Sequence, residues 1–182
     1  MQHRKMKACL VGEAAVGKTA LIRRFVLDQF DDAYVQTLGT KVYKHALTIA
    51  PGRVPTAVEM MIWDIMGQQG FRELLKDAYF FGARGILAVA DATRRETLGD
   101  LAGWIEGVRQ VAGAVPVVLL ANKWDLRDRV RVDEAEVASV AAAYGAPYHL
   151  TSAKTGENVE AAFQGLAERI ASGPVRGAKG QA

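Results

Sequence analysis

The sequence predicts an α/β domain in which a mostly parallel sheet carries helices on both faces and has one antiparallel edge strand. Three observations carry this expectation. Short apolar runs alternate with segments of helical period, the pattern of strands joined by crossover helices. The first run leads directly into GEAAVGKT, residues 12–19, a glycine-rich loop that opens a helix-like segment. Two strand-like stretches then follow one another with no helix between them, which is most simply an antiparallel hairpin.

Taken in order, Met6 to Val11 is almost continuously apolar, as suits a strand buried on both faces. TALIRRFVLDQF, from Thr19, reads as the first helix. Lys41 to Ile49 and Thr56 to Ile62 are the hairpin strands, and Pro51, Gly52 and Pro55 in APGRVP supply the turn. Gly85 to Ala90 is the next buried strand. Leu98, Leu101, Ile105, Val108 and Ala112 then step by three or four and lay one apolar stripe along a helix. Pro116 to Ala121 forms another strand. Asp133 with Glu136 resembles a capping box, opening a helix that carries Val137, Val140 and Tyr144. A short strand is expected around Tyr148, and Val159, Phe163, Leu166 and Ile170 define the last helix.

The chain of 182 residues is expected to form one domain, residues 1–172, followed by a flexible tail, 173–182, that lacks apolar periodicity. Lys+Arg 23 against Asp+Glu 20 leaves a net charge of only +3, too small an excess for a nucleic-acid binder. Cys9 is the single cysteine and cannot form an intrachain disulfide. No apolar segment of signal-peptide or transmembrane length is present. Gln2 excludes N-myristoylation and the terminal GAKGQA excludes prenylation, so the expectation is a cytoplasmic protein with no lipid anchor. His3, His45 and His149 share no ligand spacing, which argues against a zinc site.

The loop 12–19 fits G-x-x-x-x-G-K-[ST], a pattern expected by chance in about 1% of chains this long. Gly12 and Gly17 allow the backbone of Glu13, Ala14, Ala15 and Val16 to curl, so that successive N–H groups, with Ala20 in the helix start behind them, face phosphate oxygens. Lys18 is placed to neutralise β- and γ-phosphate charge, and the Thr19 hydroxyl can ligate Mg²⁺. The base is chosen by NKWD, residues 122–125, at the carboxyl end of a strand, where ligands of open α/β sheets bind. Asp125 can accept both N1–H and the exocyclic amine of guanine, a donor pair that adenine lacks. Lys123 can lie along the base, and Asn122 can tie this loop to the phosphate loop. These residues disfavour an ATP-using enzyme. TSAK, residues 151–154, offers the Ala153 N–H to guanine O6, flanked by Ser152 and Lys154. Phe30 is either an edge-to-face contact to the base or a core aromatic closing the first helix.

The ordered set GEAAVGKT, TLGT, WDIMGQQ, NKWD and TSAK resembles the Ras superfamily of small GTPases, and most of all its Rab branch, over about residues 5–172. The resemblance implies a P-loop NTPase fold, a three-layer sandwich with a six-stranded sheet and about five helices. It implies a molecular switch that binds GTP or GDP with Mg²⁺, slowly hydrolyses GTP and binds protein effectors in its GTP state. An exchange factor, an activating protein and a monomeric state are also expected. By position, Thr37 matches the first-switch threonine that ligates Mg²⁺, and Tyr34 the aromatic that closes over the phosphates. Asp64 matches the carboxylate that holds the Mg²⁺ shell through water, and Gly67 the amide that reads the γ-phosphate. Gln68 matches the glutamine that orients the attacking water. Together Gln68, Lys18 and Thr37 would be the catalytic set. Trp63 and Tyr79 match aromatics of the Rab effector surface, or are core residues.

The chain departs from the family pattern in three places. Met66 puts a long side chain beside Gly67, which either slows switching or simply packs beneath the switch. Ala14 and Ala15 stand where Ras has glycines, and Ala14 lies where an activating partner's arginine must approach. With no arginine just before Thr37, intrinsic turnover is expected on the order of 10⁻⁴ to 10⁻² s⁻¹. An alternative reading is a GTP-dependent interaction module with little or no hydrolysis. The tail has no cysteine, and the segment from Thr37 to Asp64, with APGRVP as its insertion, is somewhat long.

Overall fold

The computed structural model describes residues 3–33, 39–51 and 54–173. Among these, six strands form one sheet: β1 (His3–Val11), β2 (Thr40–Ile49), β3 (Thr56–Ile65), β4 (Gly85–Asp91), β5 (Val117–Asn122) and β6 (Tyr148–Leu150). Their order is β2-β3-β1-β4-β5-β6, and only β2 runs antiparallel, to β3 at the edge. The expected hairpin is present, and β3 continues three residues past Ile62. The helices are α1 (Lys18–Leu27), α2 (Gln69–Phe80), α3 (Arg95–Gly99), α4 (Leu101–Ala112), α5 (Glu134–Ala142) and α6 (Val159–Ser172).

Strand residues alternate between two cores because successive side chains leave opposite faces of a pleated sheet. Ala8, Leu10, Leu87, Val89, Val118 and Leu120 face α1 and α6, meeting Leu21, Phe163 and Leu166. Cys9, Val11, Ile86, Ala88, Leu119 and Ala121 face the other side, meeting Trp104, Ile105, Val108 and Val137 of α4 and α5. Both faces are dry, which is why these strands read as unbroken apolar runs.

The apolar stripe from Leu98 to Ala112 crosses a break at Asp100, where α3 gives way to α4 without losing phase; Leu98, Leu101, Ile105 and Val108 are all buried. The capping box is formed: the Glu136 N–H donates to Asp133 at 2.8 Å and the Asp133 N–H donates to Glu136 at 2.9 Å. The register sets Leu10 beside Asp64, Val11 beside Ala88 and Asp91 beside Asn122, so the chemistry-bearing residues share the carboxyl ends of adjacent strands.

Candidate functional site

The loop between β1 and α1 curls as its glycines require. Gly12 and Gly17 have φ of +146° and +102°, and a Cβ on Gly17 would lie 2.3 Å from the Asn122 amide nitrogen. Lys18 is buried, and its Nζ donates to the carbonyls of Gly12 and Glu13, both at 2.8 Å. Burial pushes its pKa down to about 8, with Asp64 and Glu13 pulling it up and Arg94 adding to the depression. The Thr19 hydroxyl donates to Asp64 Oδ2 at 2.5 Å. Ala20 follows within α1 and lines the same cleft as Ala14, Ala15, Lys18 and Thr19. Glu13 instead reaches backward, accepting from the indole N–H of Trp104 at 3.0 Å.

On the base side, β5 delivers Asn122 fully into the interior. Its Nδ2 donates to the Val16 carbonyl at 3.0 Å, the tie expected from sequence, while its Oδ1 accepts from Thr151 Oγ1 at 3.2 Å. The same Oδ1 accepts from the Ala153 N–H at 3.3 Å, so the donor expected for guanine O6 already has an internal partner. Lys123 adopts a left-handed backbone, φ +65°, and its Nζ donates to Ala15 O at 2.8 Å and to Asp91 Oδ2 at 2.7 Å. Asp125 is half-buried in the turn closed by the Leu126 N–H on Lys123 O at 3.1 Å. The Trp124 N–H on Thr151 O, 3.0 Å, stitches the two base-side loops together. Ser152 is buried and its Oγ accepts from the Thr155 N–H at 3.0 Å; Lys154 is exposed.

The β3–α2 segment meets the phosphate loop directly. Asp64 is buried at the end of β3, and Gly67 lies so close that a Cβ there would be 2.5 Å from the Ala14 nitrogen. Gln68 occupies the N-cap position of α2, and with Gly67 and Met66 it lines the cleft. Met66 is 6% exposed, and its N–H donates to Gly39 O at 3.1 Å. Phe30 packs against the first core and also lines the cleft. Trp63 and Tyr79 are half-buried against the second core, with Lys7 Nζ 3.6 Å from the Trp63 ring centre. Tyr34 and Thr37 lie outside the described residues.

Sequence reasoning missed four residues of the site. Asp91 ends β4 and accepts from Lys123, from Arg94 Nε at 3.1 Å and from Thr93 Oγ1 at 2.6 Å. Arg94 Nη2 donates to the Ala14 carbonyl at 2.8 Å. Arg24 of α1 holds the TSAK loop through Ala153 O at 2.8 Å and Lys154 O at 2.6 Å. Trp104 holds Glu13. Only Asp91 had a readable signal: Asp followed two residues later by Thr at a strand's carboxyl end is an Asx-turn pattern.

A parallel sheet with a lysine-bearing phosphate loop at one strand end and an Asn-Lys-x-Asp turn at another defines a P-loop guanine-nucleotide-binding protein. The chain belongs to the Ras family, whose model matches residues 7–172, and within it to the Rab branch of small GTPases. It is 36% identical over 166 residues to "Ras-related protein Rab-8B" of Dictyostelium discoideum, covering 91% of this chain and 79% of that protein. It is 33% identical over 165 residues to "Ras-related protein Rab-13" of Canis lupus familiaris, covering 90% and 79% of the two chains. Among the described residues, no helix is long and apolar enough to cross a membrane.

Proposed function

We propose that this small GTPase is a slow, GTP-timed switch: it hydrolyses GTP to GDP and phosphate and binds protein effectors while GTP is in place. The observation that carries the reading is the contact of Gly67 with the phosphate loop, so close that a methyl on Gly67 would stand 2.5 Å from the Ala14 nitrogen. A change at the terminal phosphate then has a direct path into α2. Lys18 neutralises β- and γ-phosphate charge, and the backbone amides of residues 13–19 cradle the phosphates. Asp125 and Lys123 read the guanine, and the Ala153 N–H would exchange Asn122 Oδ1 for guanine O6 when the base binds. Thr19 and Asp64 present converging hard oxygens suited to Mg²⁺, with Thr37 completing the set and Asp64 acting through water. The metal would supply neutralisation of the phosphate charge. Gln68 orients a water whose oxygen attacks the γ-phosphorus as the bond to the β–γ bridging oxygen breaks. A monomeric, cytoplasmic protein served by an exchange factor and an activating protein fits this reading.

One observation favours the alternative of an interaction module with little hydrolysis. Met66 is buried beside Gly67, where it adds bulk to the segment that must move. Single-turnover GTP hydrolysis separates the two. The switch predicts a rate constant on the order of 10⁻⁴ to 10⁻² s⁻¹, falling at least tenfold in Gln68→Leu. GTP binding with no turnover in either protein would establish the module instead.

A further inference from the structure

In a trans peptide, a carbonyl held on one side directs the following N–H to the other. Three consecutive carbonyls of the phosphate loop are held in this way. Arg94 Nη2 donates to Ala14 O at 2.8 Å, Lys123 Nζ to Ala15 O at 2.8 Å and Asn122 Nδ2 to Val16 O at 3.0 Å. The N–H groups of Ala15, Val16 and Gly17 therefore face away from these donors. Lys123 and Asn122 belong to the base-reading turn. Arg94 comes from a different place, the turn after β4, and belongs to none of the motifs.

Its geometry is that of a brace. The guanidinium spans two partners, with Nη2 on Ala14 O and Nε on Asp91 Oδ2 at 3.1 Å. That same buried carboxylate oxygen accepts from Lys123 at 2.7 Å. One anion thus spaces two cations at the separation of adjacent loop carbonyls. A charged donor on a carbonyl also polarises its peptide and strengthens the N–H on the other side.

We propose that Arg94 is a positioning residue of the phosphate site, fixing the tip peptide of the loop so that its amide is aimed at the β-phosphate of a guanine nucleotide before the nucleotide arrives. This rests on the guanine-nucleotide reading of the same site. Arg94 acts from behind the loop; the groups lining the cleft include Ala14, Ala15 and Lys123 but not Arg94.

The test compares wild type, Arg94→Ala and Arg94→Lys by release of a fluorescent GDP, by ³¹P NMR of bound GDP and by single-turnover hydrolysis. Arg94→Ala should release GDP about tenfold faster, the scale of one charged hydrogen bond, and shift the β-phosphate resonance. Arg94→Lys keeps a donor for Ala14 but has no second nitrogen for Asp91, so it should fall between the two; it carries the test alone if the alanine variant does not fold. The hydrolysis rate constant of bound GTP should change less than GDP release. Unchanged release and resonance in both variants would overturn the proposal, as would a collapse of hydrolysis with release intact, which would make Arg94 a catalytic arginine. A wild-type protein that does not retain GDP would instead refute the nucleotide reading itself.

Discussion

At Gly67 the space beside the phosphate loop admits a hydrogen and nothing larger. A methyl there would meet the Ala14 nitrogen at 2.5 Å and the Glu13 carbonyl carbon at 2.6 Å, both backbone atoms of a loop held by its own hydrogen bonds. Gly67→Ala should therefore push the β3–α2 segment off the loop while leaving the base-side contacts in place. We expect GDP affinity within about threefold of wild type and hydrolysis reduced at least tenfold, roughly the cost of displacing a group from a preorganised site. Unchanged single-turnover kinetics would show that the contact is not used. Cys9 gives a second residue-scale expectation. Burial pushes its thiol up to about 12, so it should resist a thiol reagent at pH 8 until the protein unfolds; prompt labelling of the native protein would contradict the buried assignment.

Single elements make their own predictions. The reciprocal bonds of Asp133 and Glu136 close the first turn of α5, and Asp133→Ala should cost about 1 kcal/mol in urea denaturation. At the end of β4, burial alone would raise the Asp91 pKa, but hydrogen bonds from Lys123 and Thr93, with the Lys123 charge, hold the carboxyl below its usual range. A depressed folded-state pKa contributes stability that is present above the unfolded value, about 4, and is lost as pH falls through the folded one. Asp91→Asn should therefore be less stable at neutral pH and show a shallower loss of stability on acidification. Equal acid limbs would rule out this contribution. The break between α3 and α4 had no counterpart in the pattern of apolar residues, because the chain turns at Asp100 while Leu98, Leu101 and Ile105 keep facing the same core.

Across the whole molecule, the two faces of the sheet meet at one charged site, at the carboxyl ends of the parallel strands. Lys18 is held near pKa 8 there by burial, and an anionic phosphate beside it would restore its proton. GDP binding should accordingly take up on the order of half a proton at pH 8, and affinity should fall as pH rises beyond that point while staying flat near pH 7. Calorimetry in two buffers of different ionisation enthalpy reads this directly, and a buffer-independent enthalpy at pH 8 would refute it.

The elements and the two nucleotide motifs were legible because each is encoded locally. Apolar spacing reports which face a helix or strand buries, and glycine, lysine, threonine and asparagine at short fixed intervals report a loop that curls around phosphate and a turn that reads guanine. The class of fold, the guanine nucleotide and the order of the loops that hold it could therefore be read from local spacing alone. What stands behind those loops is set by the packing of distant elements. Arg94 lies 80 residues from Ala14, Trp104 lies 91 from Glu13 and Arg24 lies 129 from Ala153. Such bonds depend on β1 lying between β3 and β4 and on α1 packing beside α6, an arrangement that no local spacing records. A hydrogen bond is a short-range, directional interaction, so its partners are set by which elements the folded sheet brings within about 3 Å of one another.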